Sequence, residues 1–223
     1  MSLKWETKIS VGKLGAAIAM TQAVPKLLTF DDFITKYGDN ERYELIDGEL
    51  IDMEPTGPHE EVSAFILRKV NVEIDRLSLD WFTPTRCLIK PLGTTTAFRP
   101  DVVVLDKAAL KNELLWQDEP VITLGTSVKL VVEVVSTNWQ NDYARKVEDY
   151  SAIGIPEYWI VDYLGLGGRD YIGNPKQPTV SIYQLSSDGN RYQKPAQFRG
   201  SERIISPTFQ ELQLTAAQIF ATY

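Results

Sequence analysis

Cysteine and histidine are almost missing from this chain: its 223 residues hold one of each, Cys87 and His59. A lone cysteine closes no internal disulfide. A structural zinc site needs about four Cys or His ligands and a His-rich catalytic one about three, so both kinds are excluded. Any bound metal must be a hard cation held by carboxylate and carbonyl oxygens, which means Mg²⁺, Mn²⁺ or Ca²⁺. Long apolar runs are missing as well. The one targeting suspect, Leu14-Gly-Ala-Ala-Ile-Ala-Met20 behind Lys4, Lys8 and Lys13, is far too short to span a bilayer and at the short edge for a signal-peptide core. Residues 1–26 therefore read as a flexible N-terminal extension and residues 27–223 as one domain. The lone cysteine points to the cytoplasm, with no membrane partner. Positive charge is in deficit too, with 23 Lys and Arg against 30 Asp and Glu and a formal net charge of -7. That balance disfavours loose, sequence-independent binding to nucleic acid. Arg68, Lys69, Arg76, Arg86, Lys90 and Arg99 fall in one stretch, and form either a local basic face or ordinary solvated charges.

What is present is the punctuation of an α/β fold. Thr29 with Asp32 three residues on predicts a capped helix to about Tyr37. Asp47-Gly48, between the alternating runs of Arg42–Ile51, is a type I′ hairpin signal. After Pro58, Val62, Phe65, Ile66, Val70, Ile74 and Leu77 recur at helical spacing and predict the longest helix, packed on a sheet. Strands are expected near Arg86–Leu92, at Pro100–Leu105 and at Val128–Val135; the last two are nearly continuous β-branched runs, as in strands buried on both faces. A helix from Asn141 to Ile153, stopped by Gly154 and Pro156, leads to the strand Tyr158–Val161, which makes a βαβ crossover in a partly parallel sheet. Leu164–Pro178 reads as a loop insertion, and no Gly-Lys-Ser/Thr follows its glycines to make a phosphate loop. A C-terminal hairpin from Val180 and a closing helix over Thr215–Tyr223 complete the chain.

Glu133 interrupts an otherwise apolar strand. A buried lone carboxylate needs a cation, a metal or a proton. Alternation puts it on one face with Val131 and Val135, and puts Asp101, near the start of the preceding strand, with Val103 and Leu105. Two acids on adjacent strands suit a hard-metal site. Equally, Asp101 caps its strand end and Glu133 pairs with Arg99 or Lys146. Lys146 borders the buried stripe of Tyr143, Val147 and Tyr150; it either pairs with Asp142 one turn back or points its ammonium at the acids.

Pro100-Asp101, Glu133-Val-Val-Ser136, Asp142-x-x-x-Lys146, Tyr150 and Gly154-Ile-Pro-Glu-Tyr-Trp-Ile-Val-Asp162 together resemble the bacterial Uma-two family of restriction-endonuclease-like proteins, within the PD-(D/E)XK nuclease superfamily. The likeness extends upstream through Tyr43–Glu49 and Gly57-Pro-His59, and covers roughly residues 27–220. It implies an α/β (α+β) fold with a restriction-endonuclease-like core, a mixed central β-sheet flanked by helices. It also implies roles. Asp101 and Glu133 would bind the metal, Mg²⁺ or Mn²⁺, with the Val134 carbonyl as a further ligand and Glu44 completing the catalytic set. The superfamily's lysine position, two residues after the glutamate, is Val135 here, so Lys146 would have to reach back from the next helix. His59 would be a hydrogen bonder behind the ligands rather than a base, and Asp142 would act alongside it. The implied activity is metal-dependent hydrolysis of DNA phosphodiester bonds by a homodimer. The alternatives are a nuclease fold with little or no cutting, kept as a nucleic-acid or protein binding or regulatory module, and a purely structural or oligomerisation protein.

Overall fold

The structure, a computed structural model, describes residues 27–91, 93 and 95–222; the expected N-terminal extension, residues 1–26, lies outside the described residues. Helix α1 (Phe30–Tyr37) begins where the capping signal stands. The Thr29 hydroxyl accepts the Asp32 amide and the Asp32 carboxylate accepts the Thr29 amide, which satisfies two donors that a helix start leaves orphaned. Strands β1 (Tyr43–Ile46) and β2 (Glu49–Asp52) form the hairpin, turning at Asp47 and Gly48 with φ of 51° and 84°. That left-handed pair is what a type I′ turn requires. Helix α2 (Gly57–Arg76) follows, and it buries Val62, Ile66, Val70 and Ile74 along one stripe.

The central sheet is mixed. It contains β3 (Trp81–Phe82), β5 (Val102–Asp106), β7 (Val128–Val134), β8 (Glu157–Asp162), β9 (Thr179–Gln184) and β10 (Ala196–Phe198), in the order β10-β9-β8-β7-β5-β3. Its one parallel pair, β7 with β8, is joined by α3 (Lys146–Ala152), as the crossover reading expects. Outside it, β4 (Leu88–Ile89) and β6 (Val121–Ile122) form a short parallel pair. Two short helices, α4 (Arg169–Ile172) and α5 (Ala216–Phe220), come later in the chain. Strands β5 and β7 are buried on both faces. Val102, Val104, Leu130, Val132 and Val134 pack with α2 and α5, whereas Val103, Leu105, Val131 and Val135 pack with Tyr143 and Tyr150. A third cluster of Phe33, Leu45, Leu88, Ala97 and Val121 joins α1, β1, β4 and β6.

Several local expectations change. The strand near Arg86–Leu92 is only Leu88–Ile89, because it pairs with the two residues of β6 and not with the central sheet. Asp101 stands one residue ahead of β5. The helix expected from Asn141 opens as a π-helical turn, Asn141–Arg145, before α3, and the loop insertion contains α4. Each residue of the basic stretch has its own partners. Arg68 and Lys69 lie over the Phe65 ring, Arg76 pairs with Glu73 and Glu211, Arg86 stands near Asp39 and Glu41, and Lys90 lies over Phe30. Arg99 turns inward to the carbonyls of Tyr37, Gly38 and Tyr43. Among the described residues no helix is long and apolar enough to cross a membrane.

Candidate active site

Register brings the two acids together. Antiparallel β5 and β7 pair Val102 with Val132 and Val103 with Val131, and one further step sets Asp101 opposite Glu133. Asp101 lies beyond the regular ladder, and its Oδ2 accepts the Val134 N–H at 2.6 Å, where a strand carbonyl would otherwise have served. On the other side of Glu133, the crossover carries α3 over the face shared with Val131 and Val135. Lys146 is therefore buried, 1 % exposed, with its Nζ 3.0 Å from Glu133 Oε2, 3.2 Å from Asp142 Oδ1 and 3.7 Å from Glu44 Oε2. The surface ion pair with Asp142 alone, one of the two expected roles, is not what forms.

Glu44 arrives from β1, a distant part of the sequence, and is fully buried. Its Oε2 accepts the Arg99 N–H at 3.3 Å, while Oε1 is buried without a hydrogen-bond partner. Arg145 in the π-helical turn binds Asp47 at the hairpin turn at 2.7 Å and Asp149 at 2.7 Å. That bridge fixes the hairpin against the helix, and so fixes Glu44 against Lys146. Tyr150, one turn beyond Lys146, donates its hydroxyl to Glu133 Oε1 at 2.7 Å. Its position on the buried stripe was legible in the sequence, but not this bond. The same spacing of four residues that aligns Lys146 with Tyr150 could have pointed to it.

Burial and charge oppose each other in this cluster. Burial pushes the carboxyls of Glu133 and Glu44 above the usual range, and Lys146 pulls both back. Asp142 is pushed up to about 6 by burial, again against Lys146. Burial works against the charged ammonium of Lys146 as well, yet Glu133, Glu44 and Asp142 outweigh it and hold the group charged, well above its ordinary value. The Tyr150 hydroxyl is raised by burial and by Glu133, so it remains a donor.

A cleft of about 560 Å³ opens beside the cluster, with Asp101 and His59 in its lining. Glu44, Glu133 and Lys146 are buried behind it, and Asp101, its side chain 19 % exposed, forms the boundary between them. His59 comes from the first turn of α2. Its Nε2 is 2.9 Å from the Val134 carbonyl and 3.5 Å from Asp101 Oδ2. Burial disfavours the charged ring, but Asp101 and that carbonyl raise its pKa overall. All seven residues singled out from sequence (Glu44, His59, Asp101, Glu133, Val134, Asp142 and Lys146) thus belong to one contiguous cluster. Among the described residues no three Asp, Glu, His or Cys side chains converge as a ready metal site; the Lys146 ammonium holds the centre instead.

Comparison with known proteins bears on this geometry. A crystal structure of a "putative nuclease belonging to DUF820" from Anabaena variabilis superposes with a TM-score of 0.64 at 17 % identity, covering 87 % of this chain and 98 % of that one. At that identity the likeness shows a shared fold. No curated protein matches the chain. The family model Uma2, described as "Putative restriction endonuclease", matches residues 30–217, a span that runs from α1 to α5 and includes every residue of the buried cluster. The chain belongs to the Uma2 family.

Proposed function

We propose that this protein is a divalent-metal-dependent nuclease that hydrolyses DNA phosphodiester bonds, with Asp101 in the lining of the cleft and the buried acids and Lys146 behind it as its reacting centre. The observation that carries this reading is the charge count there: Glu44, Glu133 and Asp142 face one ammonium, and Asp101 stands beside Glu133. Carboxylate oxygens are the donors a hard divalent cation takes, and to be held by these acids it would have to share them with the Lys146 ammonium that now sits among them. Glu44 Oε1 is a buried carboxylate oxygen with no partner, and an unsatisfied buried acceptor of this kind costs about 1–3 kcal/mol. Asp101 and Glu133 are the proposed ligands, with Glu44 beside them. The Val134 carbonyl is a possible further ligand that already accepts from His59.

When bound, Mg²⁺ or Mn²⁺ supplies the charge that polarises a scissile phosphate and acidifies a water. The chain's own residues do the rest. Asp101 meets the substrate side of the boundary. Glu133 is held by Tyr150 on one oxygen and Lys146 on the other, so its carboxylate cannot turn away. Lys146, buried and charged, steadies negative charge developing on the phosphate, where a low dielectric makes it count. The family description and the description of the Anabaena protein both speak of nucleases, which supports a nucleic-acid substrate by analogy. A duplex substrate presents two strands, and a homodimer with two sites suits it.

A second reading is a nuclease fold that binds nucleic acid or protein and cuts little. The net charge of -7 and the full engagement of Lys146 in ion pairs favour it. The deciding experiment is an assay on plasmid and single-stranded DNA with Mg²⁺ and Mn²⁺, run beside thermal melts. Wild type should cut, and metal should raise its melting temperature; Asp101→Asn and Glu133→Gln should lose both effects. A metal shift without cutting favours the binding module, and an unchanged shift in both variants moves the metal elsewhere.

A further inference from the structure

His59 occupies the boundary between cleft and cluster, and its contacts define more than proximity. A carbonyl oxygen only accepts, so the 2.9 Å contact with Val134 requires the proton on Nε2. The neutral ring is then a single tautomer, with Nδ1 unprotonated. Nδ1 is buried and has no hydrogen-bond partner; Glu60 Oε1, at 3.9 Å, is too far. The same Nε2 lies 3.5 Å from Asp101 Oδ2, the oxygen that accepts the Val134 N–H at 2.6 Å. The Val134 N–H thus holds Oδ2 by a hydrogen bond, while the ring on α2, its Nε2 proton given to the carbonyl of the same residue, packs against that oxygen at 3.5 Å. Oδ1 makes no hydrogen bond among the described residues, and it is the oxygen left for a ligand.

We propose that His59 is a positioning residue that locks the Asp101 carboxylate against β7, so that Oδ1 meets the cleft, and that keeps the Val134 carbonyl engaged. This rests on the nuclease reading for its consequence, but the link itself is a property of the metal-free protein. A partner behind a metal ligand fixes the ligand's orientation, and losing one typically lowers metal affinity or activity by about 10–100-fold. A glutamine amide can reach and donate as Nε2 does; alanine cannot.

Because His59 is the chain's one histidine, its ring nitrogens give unambiguous NMR signals. In the metal-free wild type, at a pH above the ring's own titration, the Nε2–H tautomer is expected, and Asp101→Asn should shift both ring nitrogens. The Nδ1–H tautomer, or no response to Asp101→Asn, overturns the link. Mn²⁺ affinity, measured by titration, should fall about 10–100-fold in His59→Ala and return largely in His59→Gln; cutting should lose kcat with KM little changed. Equal affinity in wild type and His59→Ala, or a glutamine variant no better than the alanine one, overturns the positioning role. If the wild type binds no Mn²⁺ while the tautomer and the Asp101 response stand, the nuclease reading fails and the His59 lock survives.

Discussion

Lys146 shows how one residue decides the character of the site. An exposed pair with Asp142 would be worth only a few tenths of a kcal/mol, but this ammonium is buried among three carboxylates. Removing one partner of a buried ion pair typically costs about 3–5 kcal/mol. Lys146→Ala should therefore lose stability on that scale in urea titrations of the metal-free protein. Mg²⁺ should restore much of it, while cutting stays down by about 10²–10³. A loss below about 1 kcal/mol contradicts the buried arrangement. Asp142 adds a pH signature. The folded chain keeps its proton up to about pH 6, whereas an unfolded aspartate releases it near 3.9. Between those values the folded state binds more protons, so stability falls as pH rises. The contribution of this group is complete below about pH 4 and lost above about 6. Glu133 and Glu44 act in the same direction, so the comparison must isolate Asp142. Urea midpoints from pH 4.5 to 7 in EDTA should fall less steeply for Asp142→Asn than for wild type, and equal slopes refute the assignment.

At the scale of elements, the crossover from β7 through α3 to β8 positions the lysine, and its corner is tight. A Cβ on Gly125 would lie 2.3 Å from the Ile153 carbonyl oxygen and 2.4 Å from the Gly154 carbonyl carbon. Both atoms are backbone, so the end of α3 itself would have to move. Gly125→Ala should cost about 1–3 kcal/mol, as overpacking does. Gly57, in the first turn of α2, has open space around its Cβ position, so Gly57→Ala should be neutral or slightly stabilising. Melting temperatures of the two variants check the contrast. The π-helical turn ahead of α3 belongs to the same corner. It carries Asp142 and Arg145, and such turns are frequent at functional sites.

For the whole molecule, the homodimer is the testable consequence of a duplex substrate. Light scattering at micromolar concentration should give twice the chain mass of 25.2 kDa, with or without DNA. A monomer mass in both conditions would falsify it, and would leave the single site to act on one strand at a time. The net charge of -7 predicts little help from long-range attraction to phosphate, so recognition of DNA under the proposed function would rest on short-range contacts at the cleft.

Legibility divided along a physical line. The cap at Thr29, the Asp47-Gly48 turn, the stripe of α2 and the two-faced burial of β5 and β7 were readable because neighbouring residues encode them. The same alternation put Glu133 on the face of Val131 and Val135, and two acids on adjacent strands followed from it. The two-residue strands β3, β4 and β6 were unreadable or blurred, since so short a run has no period. The partners of the basic stretch were hidden too, because they come from segments distant in sequence, as Glu211 does for Arg76 and the Tyr43 carbonyl for Arg99. Local pattern left Lys146 with two roles. The choice between them came from the hairpin that delivers Glu44, the register that sets Asp101 at the end of β7 and the burial that makes an unpaired charge costly. Those are properties of contacts between distant segments in a low-dielectric interior, so the residue types were written in the sequence while their charge states and partners were decided by tertiary structure.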